Sequence, residues 1–134
     1  MAQVTLQRDV TAFVDKVKGR QNEVLRAIAY AAEARVKELT PVVTGYLRAN
    51  WSVVRNAEAS PIPGQGDNSA IAEITMGDTI RLVNPVVYAR RIEFGFNGVD
   101  KLGRHYHQTG RGMAQQTMLE LPEIAAGIVQ DFSK

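Results

Sequence analysis

The chain has 134 residues, of which 45% are hydrophobic and 22% charged, with a formal net charge of +2 and no cysteine. That length matches one domain with a core of its own, and the composition is that of a globular chain rather than a disordered one. Disulfides, thiolate zinc sites and cysteine nucleophiles are excluded, and no apolar run approaches the roughly 18 to 20 residues that cross a bilayer.

In chain order, the first ten residues lack the basic start and apolar stretch of a secretory signal. Apolar or small residues then recur at Val10, Phe13/Val14, Val17, Val24, Ile28, Ala31/Ala32, Val36 and Leu39. That spacing predicts an amphipathic helix over 9–39. Gly19 and Gln21 interrupt the stripe, so the segment is either one kinked helix or two. Pro41 disfavours helical backbone at Thr40 and sets the stop.

The next stretch, "LRANWSVVRN" from 47 to 56, mixes aromatic and β-branched residues and predicts a strand, with Leu47, Ala49, Trp51 and Val53 on one face. Arg48 then lies on the face opposite Trp51. Arg48 and Trp51 fit either a core tryptophan with an arginine paired to an acid, or a subunit interface, where both residue types are enriched. Residues 57–69 hold two prolines and two glycines and read as a flexible loop. "AIAEITM" and "TIRLVN" flank Gly77-Asp78 and predict a hairpin. Three strands after the helix form, most simply, an antiparallel sheet.

Asn84-Pro85 punctuates that sheet, and "VVYARRIEFG" spaces its apolar residues as a short helix ending at Gly95. Residues 96–112 are glycine-rich and read as a second flexible loop, long enough to be functional or ordered by a partner. From Met113 onward near-helical spacing returns, with Pro122 either kinking the helix or opening another. The whole predicts a single α+β domain over 1–134: a long N-terminal helix on a small, mostly antiparallel sheet, then a short helix and a C-terminal helix.

Charge is uneven. Residues 81–111 carry Arg81, Arg90, Arg91, Lys101, Arg104 and Arg111 against Glu93 and Asp100, a local +4, and residues 112–134 come to −2. Such a segment suits anions or complementary protein faces. His105 and His107 stand two apart, and a metal site needs three or four ligands; Asp100 and Glu93 would complete a set, but nothing in the spacing demands it. Gly110-Arg111-Gly112 precedes a helix, where anions bind, but no phosphate-loop motif is present. No nucleophile frame such as GxSxG occurs, and Glu73 with Glu93 make an unremarkable pair of acids. No cofactor is expected.

Three blocks, in order, give the chain a likeness. "TPVVTGYLRANW" resembles T-P-x-x-T-G-x-L-R followed by an aromatic. "NPVVYARRIEFGF" resembles N-x-x-x-Y-A-x-x-x-E-F-G, and "GRGMAQQTMLELPEIAAGIV" is a glycine-led C-terminal helix. Together they resemble the neck or tail-completion proteins (minor tail components) of long-tailed double-stranded DNA bacteriophages, over roughly residues 20 to 130. Val43 and Tyr46 depart from the acidic and basic residues common in that family.

The resemblance implies a non-enzymatic virion protein at the head–tail junction, assembled in the host cytoplasm. It implies a homo-oligomeric ring of six copies, docking to connector or stopper proteins and to tail-terminator or tail-tube proteins. DNA would pass through that ring, and no membrane is involved. Candidate interface residues are Arg48, Trp51, Tyr88, Arg90, Arg91, Glu93, Phe94, Arg104 and Arg111. The alternatives are a nucleic-acid-binding module using the basic 81–111 segment and, behind it, a hydrolase using His105, His107 and Glu93.

Overall fold

The segment expected to be a long amphipathic helix is helical from Gln21 to Leu39 (α1) in the computed structural model of the chain, which describes residues 3–7, 20–42, 45–99 and 102–133. The part expected over 9–19 lies outside the described residues. Val24, Ile28, Ala32 and Val36 form the buried stripe of α1, the period read from the sequence. The helix stops at Thr40, which is extended ahead of Pro41.

The next expectation is corrected. Tyr46–Ala49 is a single helical turn (α2), and only Ser52–Arg55 is a strand (β2). Gly45 enters the turn with φ 83, a left-handed conformation that glycine adopts without strain, and its carbonyl accepts from Ala49 N at 2.9 Å. Asn50 Nδ2 donates to the Tyr46 carbonyl at 2.7 Å, and this local bond closes the turn. Leu47 and Trp51 are buried while Ala49 is exposed, which is helical spacing rather than alternation.

The hairpin expected around Gly77-Asp78 is also absent. Ser69–Glu73 is a 3₁₀ turn started by Ser69 N donating to Asp67 Oδ1 at 2.8 Å. The residues after it bond to α1: Met76 N donates to Asn22 Oδ1 at 2.9 Å, and Arg26 Nε to the Ile74 carbonyl at 2.9 Å. Ile80–Asn84 (β3) is the strand expected there. Its second partner is Val4–Gln7 (β1), a strand the sequence reading did not mark. The sheet is antiparallel in the order β1-β3-β2, with Leu82 opposite both Leu6 and Val53.

Ala89–Phe94 (α3) is the short helix expected, ending at Gly95. Residues 96–112 are not a structureless loop. Gly95–Val99 (β4) and His105–Thr109 (β5) pair as an antiparallel hairpin, with Gly95 opposite Thr109 and Val99 opposite His105. Met113–Phe132 (α4) is one continuous helix that runs through Pro122. An interior proline costs about 3 kcal/mol, and Leu121, Ala125 and Val129, all buried, offset it by holding both sides of Pro122 to the core.

The fold is therefore α+β, with four helices among the described residues. Helices α1 and α4 lie antiparallel. Arg20, before α1, stacks 4.5 Å from the Phe132 ring at the end of α4, and Arg35 Nε is 2.7 Å from Glu120 Oε1 nearer its start. One core joins Val4, Leu82 and Val53 of the sheet to the inner faces of both helices. Each such buried aliphatic side chain contributes about 1.5–3 kcal/mol relative to exposure.

Candidate functional site

Three hydrogen-bonded joints are built from the three sequence blocks. The first centres on Thr40. Its hydroxyl donates to the Val36 carbonyl at 2.6 Å and accepts from Trp51 Nε1 at 2.9 Å, and its carbonyl accepts from Arg48 Nη2 at 3.2 Å. Thr40 thus satisfies a helix end and the one polar atom of a tryptophan that is only 1% exposed. Arg48 is exposed and donates to a carbonyl at the end of α1, with no ion pair to an acid among the described residues, and it lies on a helical turn rather than a strand.

The second joint ties the first block to the next. Asn84, fully buried, donates through Nδ2 to the Leu47 carbonyl at 2.8 Å and accepts from Val86 N at Oδ1, 3.2 Å away. A buried amide satisfied in this way fixes the direction of the chain leaving β3.

The third joint ties the second block to the last. Glu93, 4% exposed, accepts from Ala114 N at 2.8 Å and from Gln115 N at 3.1 Å, so its carboxylate closes the N-terminus of α4. Backbone bonds reinforce the contact: Arg111 N donates to the Ile92 carbonyl at 2.7 Å and Gly112 N to the Glu93 carbonyl at 3.0 Å. A Cβ on Gly110 would lie 2.6 Å from the Glu93 carbonyl oxygen, so only glycine permits this approach. The helix N-terminus that invited a phosphate-binding reading is filled by the chain's own anion.

Of the nine candidate interface residues, Trp51 and Glu93 are buried and spend their polar atoms on these joints. Arg48, Arg90, Arg91, Arg104 and Arg111 are exposed, as are Tyr88 and Phe94. α3 gathers several of them. Val87 is 75% and Phe94 65% exposed, and the Arg90 guanidinium lies 5.4 Å from the centre of the Phe94 ring. That distance is a cation–π contact. Val99 and Leu102 of the neighbouring hairpin are exposed too, Leu102 at 78%. Lys101 and Asp100 lie outside the described residues.

Among the described residues the other candidate chemistries do not converge. His105 and His107 stand opposite Val99 and Asn97 in the hairpin, and among the described residues no group of three or more His, Cys, Asp or Glu could hold a metal ion. Glu73 faces Arg55 Nη1 at 3.2 Å while both oxygens of Glu93 accept from α4, so the two acids do not form a pair. Thr40, Asn84 and Gly110 stood out in the sequence only as a helix stop, a strand end and part of a glycine-rich turn, not as the joints they form. Asn84 was legible only as punctuation before Pro85, because burial of an amide leaves no pattern in neighbouring residues. No helix of the described residues is long and apolar enough to cross a membrane. No protein-family model, curated protein or solved structure matches this chain.

Proposed function

We propose that this is a structural virion protein of a tailed bacteriophage, acting at the head–tail junction by ring assembly and docking to connector and tail proteins. It acts without catalysis, cofactor or membrane, six copies forming a ring through which DNA passes. The observation that carries this reading is the exposure, within residues 87–111, of Val87, Tyr88, Phe94 and Leu102 together with Arg90, Arg91, Arg104 and Arg111, with Arg90 lying over the Phe94 ring. Arginine and aromatic residues, exposed together and rigidly backed, are the material of protein interfaces. The backing supports the reading as well. The three blocks that resemble the tail-completion family meet through the Asn84 and Glu93 joints, so the likeness and the frame coincide.

The same arginines suit the second reading, a nucleic-acid-binding module, and the two separate by experiment. The purified protein is titrated with double-stranded DNA at low and high salt, and separately sedimented with connector and tail-tube proteins. A neck protein enters discrete complexes with those proteins and binds DNA weakly as a free subunit. Tight DNA binding that falls steeply with salt, with no complex formed, would replace this reading with the second.

A further inference from the structure

The assembly surface names its own partner. Five of the large apolar side chains that stand exposed, Val87, Tyr88, Phe94, Val99 and Leu102, lie between residues 87 and 102. Arg90, Arg91, Arg104 and Arg111 are exposed in the same stretch of chain, Arg90 over the Phe94 ring, and Glu93, the one described carboxylate of 81–111, is buried against α4. This face is apolar and cationic, so two such faces repel each other and the surface that receives one must be apolar and acidic.

This chain carries such a surface. α4 holds Glu120, Glu123 and Asp131 and no Lys or Arg over its whole length from Met113 to Phe132. Leu119 is exposed, and Glu123, also exposed, follows four residues later and so lies beside it on the same helix face. Glu120 is engaged by Arg35, whereas Glu123 is exposed. Arg90 and Phe94 are likewise four residues apart on α3 and touch each other. A cation–aromatic pair and a carboxylate–leucine pair of matching spacing are complementary in charge and in apolar content.

We infer that the Arg90–Phe94 face of α3 docks on the Leu119–Glu123 face of α4 in a second copy of this chain. The inference rests on the ring reading and specifies its contact. The two patches are different, so the contact is suited to repetition from subunit to subunit, as a ring requires. The hairpin that follows α3 exposes Val99 and Leu102 as well.

Charge reversal on each face tests it. Arg90→Glu and Glu123→Arg are prepared separately, and self-association is followed by sedimentation velocity. Each variant alone associates at least about tenfold more weakly than the wild type, because like charges now meet. An equimolar mixture of the two regains association, since each altered face meets its altered complement. Recovery in the mixture also excludes misfolding as the cause of the loss. If both variants assemble as the wild type does, or the mixture fails to recover, this contact is wrong while ring assembly stands. A wild type that stays monomeric at every concentration and with every partner overturns the contact and the ring reading together.

Discussion

Glu93 Oε1 accepts from the backbone nitrogen of Ala114 at 2.8 Å, twenty-one residues along the chain, and thereby fastens the end of α3 to the start of α4. The bond carries a charge in a buried setting, and such bonds contribute about 1.5–3 kcal/mol each. Glu93→Ala is expected to lower stability by about 2–4 kcal/mol, leaving one buried and one part-buried donor without acceptors. Gly110→Ala is expected to act on the same joint by pushing the Glu93 carbonyl away. Urea denaturation followed by far-ultraviolet circular dichroism measures both, and a loss below about 0.5 kcal/mol for Glu93→Ala would remove the joint from the explanation of the fold.

The single tryptophan offers a second measurement. Trp51 is buried and bonded to Thr40, so its emission is expected to be blue-shifted in the folded protein and to move red on unfolding. Trp51→Phe keeps most of the apolar volume but leaves the buried Thr40 hydroxyl without its donor. The expected cost is about 1–3 kcal/mol, read from chemical denaturation.

Acid stability follows from three carboxylates. Arg35, then Gln116, hold the Glu120 carboxyl below the ordinary carboxylate range. Asn56 and the Thr75 backbone do the same for Asp78, and the backbone and side chain of Ser69 for Asp67. Each group binds its proton less readily folded than unfolded, so its stabilisation is present above the unfolded pKa and is lost as pH falls through the folded one. Stability is expected to fall on acidification below about pH 4–5. The fall should be shallower in Glu120→Gln and Asp78→Asn, as denaturation midpoints across a pH series will report.

Phe94 separates assembly from folding. Its ring is mostly exposed, so Phe94→Ser is expected to leave stability within about 0.5 kcal/mol of the wild type. The same change is expected to weaken entry into complexes with connector and tail proteins. Thermal melting and co-sedimentation on one preparation give both readings. A large drop in melting temperature would assign Phe94 to the core.

Periodicity gave away the elements whose partners are nearby in sequence or whose stripe is long. The helix up to Leu39, the short helix ending at Gly95 and the helix from Met113 were legible for that reason. β1 was not, because four residues, Val4 to Gln7, are too few to show alternation and acquire their strand identity from β3, some eighty residues away. Leu47, Ala49 and Trp51 alternate as a strand would, yet Gly45 and the Asn50 side chain close a helical turn there. The 96–112 segment looked unstructured because its pairing lies in backbone bonds between β4 and β5. Of the candidate interface, the exposed arginines and Phe94 were legible as residue types. The burial of Trp51 and Glu93 was not, since an acid that caps a distant helix and an acid that faces solvent read alike.

The role proposed at the head–tail junction is tested most directly by assembly without the protein. In a phage whose copy of this gene is inactivated, electron microscopy of the lysate is expected to show filled heads and finished tails apart from each other. Adding the purified protein is then expected to yield joined, infectious particles. Joined and infectious particles in the absence of the protein would contradict the function proposed for it.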